Sequence, residues 1–118
     1  MLDDQPVWMK TRGKPILNIP YTQECNDVAM MLIQHHKASE FYERAMDQFE
    51  QIYKDAKGSA RVMAISVHPY ISGQPHRIKY LEAIYKYVNK HKGVLHWNGE
   101  QILDWYQPIA NKQLKAAE

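Results

Sequence analysis

The sequence predicts an α/β layer architecture in which about three parallel strands alternate with helices. Three observations carry that expectation. Stretches of strand and helix character alternate along the chain, and Val62, Met63, Ala64, Ile65, Ser66 and Val67 form a run apolar on both faces, as a strand buried between layers must be. A length of 118 residues, 13.9 kDa, suits one domain. So narrow a parallel sheet needs cover on both faces and rarely closes alone. Residues 1–118 are therefore expected to form a single partial domain, a piece of a larger sheet or barrel.

The elements follow in order. Asp3, Asp4, Gln5 and Pro6, and then Arg12, Gly13, Lys14 and Pro15, are turn-rich, so the first stretch reads as irregular with Val7, Trp8 and Met9 between the turns. Ile16 to Ile19 reads as a short strand closed by Pro20. Asn26 is a plausible N-cap for a short helical run through Met31, Leu32 and Ile33. From Ser39 to Ala56, Phe41, Ala45, Phe49, Ile52, Tyr53 and Ala56 recur at helical spacing, which predicts an amphipathic helix stopped by Gly58. A second helix is expected to bury Ile78, Leu81, Tyr85 and Val88 and to stop at Lys92 and Gly93. Val94, Leu95, His96 and Trp97 read as one more strand, and Asn98 with Gln101 resembles a capping box opening a last helix through Ile102, Leu103 and Trp105.

Composition narrows the function classes. Apolar residues make up 45% and charged residues 24%, which excludes wholesale disorder. The net charge of +2, with no basic cluster, argues against nucleic acid as a partner. Cys25 stands alone, so no intrachain disulfide or CxxC pair can form, and it reads as a small apolar residue in a reducing compartment. The longest apolar stretch, Val28 to Ile33, is too short to cross a bilayer, and the first residues lack signal-peptide character, so a cytoplasmic location without membrane contact is expected.

Ligands of parallel α/β folds gather at the carboxyl ends of strands, which brings His68, just past the run ending at Val67, to the front. Pro69 biases His68 toward extended backbone and holds the imidazole at the strand mouth. A histidine there can exchange protons near neutral pH; the competing reading is a histidine satisfied by core partners. Ala64-Ile65-Ser66-Val67-His68-Pro69-Tyr70, followed by Gly73-Gln74-Pro75-His76-Arg77-Ile78 and the helix through Leu81 and Glu82, resembles the last histidine motif of the polysaccharide deacetylase (NodB-like) family. Leu2-Asp3-Asp4-Gln5-Pro6 with Trp8, and Pro15 through Tyr21 with Asn26-Asp27, are similar to the branch containing the allantoinase-like enzymes. The resemblance spans about residues 2 to 106, and the pairing of His68-Pro69-Tyr70 with Gly73-Gln74-Pro75 is its specific part.

The resemblance implies the C-terminal portion of a distorted (β/α) barrel of the glycoside hydrolase/deacetylase type, in a hydrolase of carbon–nitrogen amide bonds other than peptide bonds. In that chemistry water attacks the carbonyl, a carboxylate from an early strand is the base, and the histidine of the last motif protonates the departing amine. Carried over by residue, only His68 receives a catalytic role. The aspartate pair, the His-x-x-x-His metal motif and the arginine segment of the family's first half are not in this sequence. His35 and His36 are adjacent and cannot imitate a pair one helical turn apart; they are expected to be exposed. His76, His91 and His96 also lack ligand spacing, so no metal or other cofactor is expected in this chain, with the metal dependence of a full-length relative left open.

Asp4, Trp8, Asn26 and Asp27 are the candidate substrate contacts. Asp3 and Asp4 could instead orient His68 or lie at a frayed terminus. Asn26 and Asp27 could line the mouth, against which stands the capping role of Asn26. Trp8 could wall a sugar or ring-shaped substrate or simply pack. Tyr80, Tyr85 and Tyr87 read as packing residues, and Glu40, Glu43, Asp47 and Glu50 as a solvated helix face.

Two functions from different classes compete. One is a C-terminal fragment of a deacetylase-like or allantoinase-like amidohydrolase, acting on a small-molecule or sugar amide once completed by a first half and inactive alone. The alternative is a non-catalytic half-barrel interaction module that forms a homo-oligomer through its open sheet edge.

Overall fold

A computed structural model describes residues 4–116, which group into two compact units. Of these, residues 4–5 and 20–94 form the first and residues 6–19 and 95–116 the second.

In the first unit, α1 (Ala38–Asp55) buries Phe41, Ala45 and Phe49, three positions four apart that fall on one stripe, together with Met46. Glu40 supports its start, because the Lys37 backbone N–H donates to Glu40 Oε2 at 2.6 Å and satisfies a donor the helix cannot. Gly58, at φ +91°, turns the chain away after the helix end in a conformation that a side chain would strain. The helix α2 (Ile78–Val88) packs against α1 through Ile84 and Val88. Tyr85, expected on that face, is 44% exposed; the face turned to α1 centres on Ile84, Val88 and Tyr87, and Tyr85 lies about 100° round the helix from Ile84.

The core joins Cys25, Met30, Met31, Phe41, Ala45, Phe49, Ile71, Ile84 and Val88. Each large apolar side chain in it contributes roughly 1.5–3 kcal/mol by leaving water. Beyond it, His91 closes the open end of the α1–α2 pair with ring centroids 4.8 Å from Phe49, 5.0 Å from Tyr53 and 4.8 Å from Tyr87. The Tyr53 hydroxyl donates to the Lys92 carbonyl at 3.0 Å, and the Tyr87 hydroxyl to Glu50 at 2.9 Å.

The expected buried strand is present only as an extended segment. Among the described residues it makes one isolated parallel bridge, Asn26 with Ser66, while Met63 and Ile65 pack against the core. A ladder needs a neighbour on each rung, and among the described residues Met63, Ala64 and Ile65 have none. The helical run after Asn26 is also a correction in type, since Val28–Ile33 forms a π-helical segment that buries Met30 and Met31.

In the second unit, β1 (Val7–Met9) pairs antiparallel with β2 (Ile16–Asn18) in the register Val7↔Asn18, Trp8↔Leu17 and Met9↔Ile16. The stretch read as irregular is thus half of a hairpin. Its loop is pinned where Thr11 Oγ1 accepts the Gly13 backbone N–H and donates to the Lys14 carbonyl. The helix α3 (Gly99–Ala116) opens on the predicted capping box: Asn98 Oδ1 accepts the Gln101 N–H and Gln101 Oε1 accepts the Asn98 N–H, both at 2.9 Å. The strand expected at residues 94–97 forms no ladder among the described residues. Among the described residues the assigned strands are thus two short antiparallel ones and not three parallel ones, because apart from the Asn26–Ser66 bridge residues 62–67 and 94–97 form no ladder there.

Candidate active site

The single parallel bridge positions the chemistry. The Ser66 N–H donates to the Cys25 carbonyl at 2.9 Å and the Asp27 N–H to the Ser66 carbonyl at 3.1 Å, so the residues immediately beyond each segment lie side by side. On one side the π-helical segment begins. Asn26 Oδ1 accepts the N–H groups of Val28 (2.9 Å) and Ala29 (3.3 Å), which fixes the backbone at Asp27 and uses the Asn26 side chain as a cap. On the other side the chain turns sharply after His68, whose carbonyl accepts the N–H groups of Ile71 (2.9 Å) and Ser72 (3.0 Å). Gly73 permits that turn, since a Cβ there would lie 2.4 Å from the Pro69 carbonyl oxygen.

Asp27 is fully buried and holds three donors. Its Oδ1 lies 2.7 Å from His68 Nδ1, while Oδ2 accepts the His68 backbone N–H at 2.7 Å and the Ser72 hydroxyl at 2.7 Å. Burial pushes its pKa up, but the hydrogen bonds from the His68 backbone, the His68 ring and Ser72, with the charge of the imidazole, outweigh it and hold the carboxyl below its ordinary value. An ionised carboxylate only accepts, so Nδ1 carries the proton and Nε2 is the ring nitrogen left for a reaction partner. The His68 side chain is 39% exposed, and the exposed Tyr70 ring meets it edge-on at 5.7 Å.

Asp4, considered as an orienting group for His68, pairs with Arg61 at 3.0 Å, and its backbone carbonyl accepts the Val62 N–H at 2.7 Å. Asp3 lies outside the described residues. Trp8 belongs to the hairpin of the second unit. Asp27, considered as a substrate contact, is fully buried and pairs with the histidine. His35 and His76 are exposed, whereas His36 is half-buried with its Nδ1 3.3 Å from an Arg44 guanidinium nitrogen. Ser72 was no sequence candidate; its signal is a hydroxyl four residues after His68, one turn back onto the residue it flanks. Cys25 is buried and donates to Gln48 Oε1 at 2.9 Å.

Among the described residues no group of three or more His, Cys, Asp or Glu side chains is placed to hold a metal ion. No helix among the described residues is long and apolar enough to cross a membrane.

No family model matches the chain. A Schizosaccharomyces pombe protein named "Putative polysaccharide deacetylase" is 29% identical over 85% of this chain and 35% of its own length. The crystal structure of a probable polysaccharide deacetylase from Pseudomonas aeruginosa PAO1 is similar at a TM-score of 0.80 and 28% identity, covering 89% of this chain and 36% of that one. The crystal structure of the Puue allantoinase is similar at a TM-score of 0.82 and 28% identity, covering 90% and 36%. The chain thus spans about a third of the length of the relatives it matches. A sequence match and two structural matches agree: this chain is a partial match to the polysaccharide deacetylase and allantoinase family.

Proposed function

We propose that this chain supplies the acid half of an amidohydrolase that cleaves carbon–nitrogen bonds other than peptide bonds, with His68 as the general acid. The observation that carries this reading is the buried Asp27 carboxylate 2.7 Å from His68 Nδ1. Departure of an amine from a tetrahedral intermediate requires a proton on nitrogen as the carbon–nitrogen bond breaks. The imidazolium donates that proton from Nε2, the electrons of the broken bond remain on the amine, and the Asp27 carboxylate stabilises the charged ring before transfer. The attacking water adds its oxygen to the carbonyl carbon and gives its proton to a base outside this dyad. The names of the relatives point to N-acetylated sugars or ureides as the substrate class.

The test is a graft in which this chain replaces the matching part of the Pseudomonas aeruginosa protein, assayed on N-acetylated chitooligosaccharides and on allantoin. The expected result is amide hydrolysis that falls at least about a hundredfold in His68→Ala. A folded graft that hydrolyses neither substrate, or whose turnover survives His68→Ala, overturns the reading. A second reading, an interaction module that oligomerises through a sheet edge, draws on residues 63–65, whose backbone makes no hydrogen bond among the described residues. Sedimentation equilibrium separates it, since a monomer across micromolar concentrations removes it.

A further inference from the structure

Asp27 is held by more than the histidine, and the way its two oxygens are shared carries a further assignment. Oδ1 faces the imidazole, and two donors meet on Oδ2: the His68 backbone N–H and the Ser72 hydroxyl. A buried carboxylate can turn about its last side-chain bond, and a single backbone donor near the hinge restrains that rotation only at one point. The second donor arrives from four residues beyond the histidine, on a turn whose own backbone N–H is bonded to the His68 carbonyl. Ser72 is 3% exposed, so water does not compete for this contact.

We propose that Ser72 is a positioning residue for His68: its hydroxyl and the His68 backbone N–H together occupy Oδ2 of Asp27, leave Oδ1 as the acceptor for the ring, and so fix His68 in the Nδ1–H tautomer with Nε2 facing the reaction partner. This matters for catalysis only insofar as His68 is the general acid proposed above. Ser72 touches no reacting atom and acts through Asp27. Freed from that donor, the carboxylate turns, the Nδ1–H bond lengthens, and the ring relaxes toward the Nε2–H form, which places a proton on the nitrogen that must receive one from solvent before each turnover.

The experiment reads the ring directly and needs no enzymatic activity. In the imidazole-15N-labelled chain, at a pH where His68 is neutral, the nitrogen shifts report the ratio of Nδ1–H to Nε2–H forms. The unmodified chain is expected in the Nδ1–H form. Ser72→Ala is expected to lower that ratio about fivefold, the equivalent of one lost hydrogen bond. Ser72→Thr, which keeps the hydroxyl, retains the original ratio, and Ser72→Val, of the same shape without it, behaves as Ser72→Ala. A folded Ser72→Ala or Ser72→Val chain with an unchanged ratio overturns the proposal. A measurement without substitution guards against unfolded variants: an unmodified chain whose neutral His68 ring is mainly in the Nε2–H form overturns the proposal. An inactive graft with a responsive ratio refutes the catalytic reading alone, whereas turnover that depends on His68 with an unresponsive ratio refutes the role of Ser72 alone.

Discussion

Asp27 keeps a charge in a place with no water because each of its oxygens is met by donors, and that balance makes it an acid-sensitive point. Its folded pKa lies below its unfolded one, so protons bind the unfolded chain first as pH falls. The stabilisation is complete above the ordinary carboxylate range and is lost as pH drops through the lowered folded value. Urea unfolding between about pH 6 and pH 3 is therefore expected to show a loss of stability in the native sequence that Asp27→Asn lacks. At neutral pH that variant is expected to be less stable by about 1–3 kcal/mol, because its amide must face donors the carboxylate accepted. Equal acid slopes in the two proteins would count against the pairing. Cys25 is the opposite case: burial, opposed by Arg44 and reinforced by Glu24, pushes its thiol up to about 11. Iodoacetamide at pH 8 should leave it unmodified in the native chain and alkylate it after denaturation. Rapid native labelling would show that the core opens at this point. Both residues were visible in the sequence, Cys25 as a core atom and Asp27 as one of two neighbours of a strand end. Spacing suggests Asp3 or Asp4 as the group that orients the histidine and gives Asp27 only a place at the mouth; that Asp27 meets the ring depends on a bridge between residues 40 apart in sequence, Asn26 and Ser66.

The elements divide into those set locally and those set by their neighbours. The three α-helices follow from their apolar period, and the Asn98–Gln101 box that opens α3 forms as its spacing predicts. Strands depend on partners: β2 lies where the sequence predicts a short strand, whereas its partner β1, three residues between turn-rich stretches, is too short for alternation to register. The turn after His68 is the element on which the site depends most. Gly73→Ala would drive a Cβ into the Pro69 carbonyl, where backbone must move. Thermal unfolding is expected to show a loss of about 1–3 kcal/mol. A melting curve superimposable on that of the native chain would mean that the turn yields without strain.

At the scale of the whole chain, the match to solved structures is close in backbone and short in coverage, with TM-scores of 0.80 and 0.82 over 36% of each relative. The sequence disclosed that partial character through its shortage of strands, while the layered sheet it suggested requires rungs these residues do not supply. Among the described residues, no second carboxylate bonds to the Asp27–His68 pair, so in the reaction proposed above the proton acceptor for the attacking water is a group other than this dyad. The purified 118-residue chain is accordingly expected to hydrolyse neither chitooligosaccharides nor allantoin above the buffer rate. Robust turnover that His68→Ala abolishes would overturn that expectation.

The bridge between Asn26 and Ser66 closes a loop of 40 residues that runs through α1, an ordering cost of roughly 3 kcal/mol for a flexible chain. Side chains along an extended segment alternate in direction, so a slip of one residue between these partners would send the His68 imidazole to the opposite face and leave Val67 opposite the carboxylate. Register along a single rung is thus a switch between a paired histidine and a stranded buried charge. The charge itself enforces the correct setting, because only one alignment brings it a partner.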